Sequence, residues 1–338
     1  MSTIRIACVA AALLCSSTPI ARAGGPVAWP ANLPVYDHIV IVIEENKDYD
    51  QIIGNKAAPY INRLASEGAR LTRMFGEEHN SQGNYFWLFS GSNQGVGFND
   101  QVPGSATDTS PFKAGSLGQQ LIKKGLSFKG YAESLPAAGA TATLVPANCS
   151  HNCIYGRRHV PWISFAGIPN GRDPKTSTNL RFSDFPASYD ELPTVAFVVP
   201  DLNHDMHNGN PARSIPAGDG WLRQNLDTYY QWAKTHNSLL IVTFDESDDK
   251  SGYQGLTDPG ISSPRDQASR DRQNRIATVF AGAHVKPGYA ASQMATHVNI
   301  LRTIEAMYGL PKSGAQQINA VRAGAGDGAI ADIFEAIR

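Results

Sequence analysis

The chain has 338 residues and a net charge of −1 at pH 7. A length of this order fits one large α/β domain or a domain with an insert. The near-neutral charge provides no basic field for nucleic acid, so local groups have to attract any anionic substrate. Apart from the first residues, no apolar run is long enough to span a membrane, and we expect no stable membrane insertion.

The first 23 residues have the pattern of a secretory signal peptide. An apolar run, 6–14, follows a basic residue, and Ala21-Arg22-Ala23 is a small-x-small cleavage site. A buried N-terminal helix is the alternative interpretation. We expect an exported protein, periplasmic or extracellular, whose mature chain, 24–338, forms one domain.

Two buried strands with acidic ends stand out. Residues 38–43 are almost entirely β-branched, and they lead into Glu44-Glu45-Asn46. Residues 239–244 are similarly apolar and lead into Asp245-Glu246. Because the carboxyl ends of strands face the ligand crevice in an open α/β sheet, we expect these ends to meet and hold one divalent cation. Of the two glutamates, we expect Glu44 to be solvated or to lie behind the ligands.

The remaining elements alternate between helix and strand. They are helix 58–68, strand 69–75, a helix entered through the polar loop 77–84, helix 117–124, strands 127–132 and 195–200, helix 219–236 capped by Asp219, strand 276–281, helix 296–308 and a short helix from Ile330. Residues 90–115 and 247–274 are predicted loops, and 134–190 form an irregular cap or insert. This alternation predicts an α/β fold with a largely parallel central sheet sandwiched by helices.

Two cysteines remain after the signal, Cys149 and Cys153. In an exported protein so close a pair indicates a disulfide. A zinc site that includes His151 is the alternative, but two cysteines and one histidine within five residues cannot easily surround a tetrahedral ion.

Three strand ends carry ionisable residues: Glu44-Glu45-Asn46, the run Asp201–His207, and Asp245-Glu246. Hard oxygen ligands of this kind suit Mg²⁺, Ca²⁺, Mn²⁺ or Zn²⁺. Each cluster alone is equally typical of helix caps and solvated turns. Three clusters at one sheet edge favour a metal or phosphate site.

Ser81 is the best candidate nucleophile. It follows His79 and precedes an apolar helix, whose N-terminal amides would suit a phosphate. A simple helix cap is the alternative. The Gly-x-Ser-x-Gly elbow of serine hydrolases is absent, since Gly91 and Ser92 are adjacent. His297 opens the helix 296–308, where it could be a ligand, a donor to phosphate or a structural cap.

Five motifs in chain order resemble a bacterial phosphoesterase family of acid phosphatases and phospholipases C, which belongs to the alkaline phosphatase superfamily. They are Glu45-Asn46-Lys47-Asp48-Tyr49-Asp50, His79–Tyr85, Pro200–His207, Asp245-Glu246, and Thr296-His297 with Leu301–Glu305. The chain departs from the family at Asp48, where serine is usual, and in lacking both prolines of the motif His-Pro-Ser-x-Pro-Asn-Tyr. The resemblance covers about residues 36–310, is nearer the acid phosphatase branch, and implies an alkaline-phosphatase-like fold.

By this resemblance, one divalent ion would be bound by Glu45, Asn46, Asp245, Glu246 and the Ser81 hydroxyl. Two-metal relatives hold a second ion on an Asp/His set, for which the candidates are Asp201, His204, Asp205 and His297. In the acid phosphatase branch such side chains face the phosphate instead. The expected substrate-binding residues are His79, Asn84, Asp205 and His297.

The resulting hypothesis is a secreted, metal-dependent acid phosphatase that hydrolyses small phosphomonoesters through a phosphoserine on Ser81. His204 or His207 would protonate the leaving group. The main alternative is a phosphodiesterase or phospholipase C. A sulfatase fits less well, because Ser81 lacks the context Cys/Ser-x-Pro-x-Arg, and a non-catalytic binding protein would release no phosphate. The metal's identity (Ca, Mg, Mn or Zn) and the oligomeric state stay open.

Overall fold

The computed structural model describes residues 29–96, 111–248 and 274–336. The predicted signal peptide and the larger parts of the two predicted loops lie outside the described residues. The strands are β1 (His38–Glu44), β2 (Ala69–Phe75), β3 (Phe128–Ala132), β4 (Leu144–Val145), β5 (Tyr155–Gly156), β6 (Asn179–Arg181), β7 (Val195–Val199), β8 (Ser238–Phe244), β9 (Arg275–Gly282), β10 (Tyr289–Ala291) and β11 (Ala295–Thr296).

Nine of these strands form one central sheet in the order β10-β2-β9-β8-β1-β7-β3-β6, with β11 also paired to β2. Strand β1 is parallel to β7 and β8, and β3 is parallel to β6 and β7. Only β9 among them runs antiparallel to its neighbours, β2 and β8. The β-branched residues of β1 are buried because strands pair on both its sides and helices cover the sheet. The predicted largely parallel sheet is confirmed.

Two groups of helices pack on the sheet. The helices are α1 (Tyr49–Ile52), α2 (Pro59–Glu67), α3 (Ser81–Ser90), α4 (Leu117–Lys123), α5 (Pro211–Ala233), α6 (His297–Met307) and α7 (Ile318–Ala323). Helix α2 packs on α5, whereas α3 packs on α4 and α6. Successive strand residues point to opposite faces. Glu44 interacts electrostatically with Asp219 of α5 and Glu45 bonds Tyr85 of α3, so the two groups cover opposite faces.

Two helix predictions were wrong, one in its start and the other in its existence. Helix α5 begins at Pro211, so Asp219 lies inside it rather than at its cap. Its carboxylate instead accepts the backbone N–H groups of Tyr60 (3.0 Å) and Ile61 (2.8 Å), at the start of α2. A capping residue can therefore serve a helix remote in sequence. The helix predicted from Ile330 is absent from the described residues 330–336, which contain one turn and an isolated bridge at Phe334; the last helix in the described chain is α7.

The irregular segment 134–190 packs directly on the sheet. It contains the hairpin β4–β5, strand β6 and four short 3₁₀ helices. Trp162 is fully buried over Gly130 of β3, where a Cβ atom would come within 2.2 Å of the indole. As predicted, Cys149 and Cys153 form a disulfide. None of the helices in the described part of the chain combines the length and apolarity needed to cross a bilayer.

Candidate active site

The acidic ends of β1 and β8 meet, as the sequence predicts. The backbone N–H of Asn46 donates to Oδ1 of Asp245 at 3.0 Å. The backbone N–H of Asp245 donates to the carbonyl of Glu44 at 2.9 Å, and that of Lys47 to the carbonyl of Glu246 at 3.1 Å. Strand β2 also ends at this edge, because β2 and β8 both run opposite to β9. The helix α3 that follows β2 therefore starts beside the acidic cluster.

Glu45 is the centre of the site. Its Oε2 accepts hydrogen bonds from the Ser81 hydroxyl (3.1 Å) and the Asn46 amide (3.0 Å), and its Oε1 accepts one from the Tyr85 hydroxyl (2.6 Å). Burial raises the pKa of Glu45, and the nearby carboxylate of Asp205 raises it further. The candidate nucleophile is thus the first residue of α3 and contacts a carboxylate.

The backbone conformation beside Ser81 accounts for one of the two missing prolines. Asn80 caps α3 with φ 79°, a backbone conformation that proline cannot adopt because its ring fixes φ near −65°. At Gly83 a Cβ atom would lie 1.7 Å from Oε1 of Glu78. Asn84, an expected substrate ligand, has its side-chain amide on the backbone of Glu78 instead, at 3.1 and 2.5 Å. The backbone at Asn80 therefore excludes one of the two prolines, and a side chain at position 83 would require the carboxyl of Glu78 to move.

The oxygen groups around Ser81 fit a cation. Oδ1 of Asn46 is buried and has no hydrogen-bond partner in the described residues. Burial raises the pKa of Asp245, and the carboxylates of Glu45 and Glu246 add to the rise. A buried polar oxygen without a donor and several buried carboxylates cost free energy that a positive ion would offset. Glu246 also lies 3.0 Å from Nδ1 of His79, an expected substrate ligand.

Sequence reasoning missed His159, which is 1% exposed. Its ring stacks on Tyr85, with 5.1 Å between the ring centroids and 8° between the planes. Nε2 lies 3.3 Å from Oε1 of Glu45, and Nδ1 lies 3.8 Å from Oδ2 of Asp205. Burial holds the pKa of His159 well below its usual range, so the imidazole is neutral. The sequence feature that could have indicated this residue is the basic run Arg157-Arg158-His159, since a chain with little net charge must attract anions locally.

The loop after β7 brings two predicted residues to the site. The backbone carbonyl of Asp205 accepts the N–H of Glu45 at 2.7 Å, and its Oδ1 accepts the N–H of His207 at 2.8 Å. Nε2 of His207 lies 3.3 Å from a guanidinium nitrogen of Arg158. His207 and Arg158 thus stand together at the partly exposed side of the site, next to His159.

The four candidates for a second metal are separated into three places. Asp205 lies with Glu45. His204 and Asp201 lie with Glu133, whose carboxylate is 2.9 Å from Nδ1 of His204, in a cluster that is partly exposed. The strand ends lie at one edge of the sheet, but the side chains of successive residues in a turn point in different directions. Sequence spacing does not reveal those directions.

His297 is the fourth candidate and has both ring nitrogens bound by the protein. Nδ1 is 2.6 Å from a carboxylate oxygen of Glu77, and Nε2 is 2.8 Å from the carbonyl of Phe244. Burial disfavours its charged form, but Glu77 and Phe244 outweigh this and raise the pKa of His297. With both nitrogens donating, the ring offers no lone pair to a metal. It ties α6 to β8 and to the loop after β2.

Glu44 was expected to be solvated or to lie behind the ligands, and it is fully buried. Neither carboxyl oxygen has a hydrogen-bond partner in the described chain. Burial raises its pKa well above the usual range, with Asp219 adding to the rise. Glu44 faces α5, away from Ser81, so the solvated alternative was wrong.

Comparisons with known proteins identify the family of this chain. The sequence pattern of the Phosphoesterase family matches residues 55–311. A phosphatidylinositol-3-phosphatase of Mycobacterium tuberculosis is 42% identical over 287 residues, covering 83% of this chain and 80% of that protein. A phosphate-repressible acid phosphatase of Penicillium chrysogenum is 25% identical, covering 82% of this chain and 60% of that protein.

Solved structures agree in fold. A lipoteichoic acid synthase of Listeria monocytogenes is 13% identical with a TM-score of 0.54, covering 89% of this chain and 78% of that one. A protein in the alkaline phosphatase superfamily from Vibrio parahaemolyticus is 12% identical with a TM-score of 0.50, covering 83% of this chain and 69% of that one. The predicted alkaline-phosphatase-like fold is confirmed.

Proposed function

Since this chain belongs to the Phosphoesterase family and is a phosphoric ester hydrolase, we propose that it is a secreted, metal-dependent acid phosphatase acting on phosphomonoesters through a phosphoserine on Ser81. The observation that carries the proposal is the Ser81 hydroxyl, at the first residue of α3 and hydrogen-bonded to Glu45. Helix N-terminal amides attract a phosphate at this position.

The proposed cation site consists of Glu45, Asn46, Asp245, Glu246 and the Ser81 hydroxyl. The unpartnered Oδ1 of Asn46 and the clustered carboxylates support it. A divalent ion bound there would lower the pKa of the serine hydroxyl and neutralise charge on the phosphoryl oxygens. Carboxylate and amide oxygens suit Ca²⁺, Mg²⁺, Mn²⁺ or Zn²⁺.

The protein's own residues then have distinct roles. Ser81 Oγ attacks phosphorus as its hydroxyl proton passes to water, and Oε2 of Glu45, 3.1 Å away, holds the oxygen in position. As the bond from phosphorus to the leaving oxygen breaks, His207 protonates that oxygen, and Arg158 beside it binds the phosphate. His204 is the weaker choice of acid, because it lies with Glu133. Water then cleaves the phosphoserine, and two in-line steps give net retention at phosphorus.

The proposed substrate class and location are supported by a relative and by features of this chain. The relative that is 42% identical is named as a phosphatase of a phosphorylated inositol lipid, so a phosphomonoester on a polyol headgroup is the proposed substrate class. Export is supported by the signal-like N-terminal sequence and by the disulfide, since disulfides persist in oxidising compartments. An acidic working range suits a histidine acid.

The test compares a nitrophenyl monoester, a nitrophenyl diester and phosphatidylcholine, using chelated protein resupplied with each metal. The monoester should react fastest; preference for either diester would establish the phosphodiesterase or phospholipase C alternative. Ser81→Ala should lower turnover by roughly 10³-fold or more, and acid quenching should trap phosphate on Ser81 in the wild type only. The matched control is Ser66→Ala, on an exposed serine of α2. Near-normal turnover by Ser81→Ala would overturn the nucleophile.

A further inference from the structure

The geometry points to a second cation site, formed by Oε1 of Glu45, the imidazole of His159 and Oδ2 of Asp205, that takes a transition-metal ion such as Zn²⁺, Mn²⁺ or Co²⁺. The ligand atoms of these three residues all lie within 4.8 Å of one another, and all three side chains are buried. Of the three, Glu45 and Asp205 lie in the motifs by which the chain resembles its family, whereas His159 lies outside them.

Unsatisfied atoms face this space. Oδ2 of Asp205 is fully buried and accepts no hydrogen bond from the described residues, although Oδ1 of the same carboxylate accepts the N–H of His207. Nε2 of His159 also makes no hydrogen bond there, at 3.3 Å from Oε1 of Glu45. A buried carboxylate oxygen and a ring nitrogen left unpaired within reach of each other are stabilised by a shared cation.

The imidazole is held in place as a ligand has to be. Its ring stacks on Tyr85, and Tyr85 donates to Oε1 of Glu45 at 2.6 Å, so one aromatic residue orients two of the three proposed ligands. Asp205 is fixed through its backbone carbonyl, which accepts the N–H of Glu45. Partners of this kind fix ring and carboxylate orientation at metal sites.

Charge also favours a second ion. Among the carboxyl groups at this edge that are at most 1% exposed are Glu45, Asp205, Asp245 and Glu246. One divalent ion offsets two of those charges. The buried ammonium of Lys47 donates to the carbonyls of Asn46 and Met206 rather than to a carboxylate. Negative charge is therefore left on the His159 side of Glu45. Of the two carboxyl oxygens of Glu45, Oε2 faces the Ser81 site and Oε1 faces the proposed second site.

The ligand set differs from that of the Ser81 site. One imidazole nitrogen with two carboxylates suits Zn²⁺, Mn²⁺ or Co²⁺ better than Ca²⁺ or Mg²⁺, whereas the Ser81 side offers oxygen atoms alone. This inference rests on the proposed Ser81 cation site, because Glu45 is shared. The two can fail separately, because the first is tested by phosphate transfer to Ser81 and the second by metal stoichiometry.

The experiment titrates chelated full-length protein with Co²⁺, following visible absorption and the metal retained after gel filtration. The wild type should bind two ions per chain. His159→Gln should bind one and lose the absorption of nitrogen-ligated Co²⁺, and Asp205→Asn, which keeps the shape and the acceptor for His207, should also bind one. The control His236→Gln, on an exposed histidine, should still bind two.

One bound ion in the wild type, or two in both His159→Gln and Asp205→Asn, overturns the proposal. Near-ultraviolet circular dichroism checks that each variant is folded. If His159→Gln does not fold, the isosteric variant Asp205→Asn still decides the test. Asp245→Asn should remove the other ion, so that its double variant with Asp205→Asn binds none.

Discussion

Glu78 makes the stability of the nucleophile loop depend on pH. It is 1% exposed, lies beside Gly83 of α3, and accepts hydrogen bonds from the Asn93 amide on both carboxyl oxygens, at 3.1 and 2.9 Å. Burial raises its pKa from 4.5 to about 7, with Glu77 adding to the rise and the hydrogen bonds opposing it. The folded protein therefore keeps this proton over a pH range in which the unfolded chain has lost it.

The sign and size of the effect of Glu78 on the free energy of unfolding follow from proton linkage. Because the folded pKa lies above the unfolded value, the stabilisation is complete below about pH 4.5 and is lost as pH rises through about 7. At about 1.36 kcal/mol per pKa unit, the loss totals roughly 3 kcal/mol. Glu78→Gln resembles the protonated carboxyl and should remove this loss.

The assay measures the free energy of unfolding by denaturant from about pH 4 to about pH 8, with chelator present so that bound metal does not contribute. The difference between Glu78→Gln and the wild type should change by roughly 3 kcal/mol in favour of the variant across this range. Glu191→Gln, on an exposed residue, is the matched control for removing a carboxylate. Parallel curves for wild type and Glu78→Gln would refute the reasoning, whatever their vertical offset.

Three further predictions use other parts of the site. Asn80→Pro should cost about 3 kcal/mol or more in unfolding free energy because φ is 79° there, whereas Asn80→Gly should cost under about 1; equal losses would contradict the strained cap. Reducing Cys149–Cys153 should lower the free energy of unfolding by about 2 kcal/mol. It should also slow turnover, because the carbonyl of Cys153 accepts a hydrogen bond from Asn208, next to His207. Unchanged unfolding in reductant would contradict this prediction. Asp245→Asn should lose the ion beside Ser81 by elemental analysis, whereas Glu44→Gln, on the other face, should keep it.

The sequence predicted what periodicity and strand direction control. The strand 38–43 and the acidic ends after it and after β8 were found because buried runs end abruptly in charge. Their meeting followed from parallel strands sharing one edge, and it brings Asn46 within 3.0 Å of Asp245. Ser81 was placed correctly near a helix start because a polar run precedes an apolar one.

Residues fixed by tertiary contacts could not be placed from sequence. His159 comes from an irregular segment without periodicity, and only the packing of Trp162 over Gly130 and of the 157–159 turn against α3 brings it to Glu45. His297 was correctly placed at a helix start, yet its ring direction depends on Glu77, a partner 220 residues away. Sequence spacing locates a residue along the chain but does not fix where its side chain points.

The contrast between Glu44 and Glu45 shows how one strand end serves two layers. Both carboxyls are fully buried, and neighbours along a strand must face opposite sides of the sheet. Spacing alone therefore separates the two without saying which one meets the nucleophile. That choice depends on which face α3 covers, and α3 is held there by packing with α6 and with the irregular segment. The irregular segment consequently does more than cap the site: by supplying His159 against Tyr85, it completes the surroundings of Glu45, which contacts Ser81.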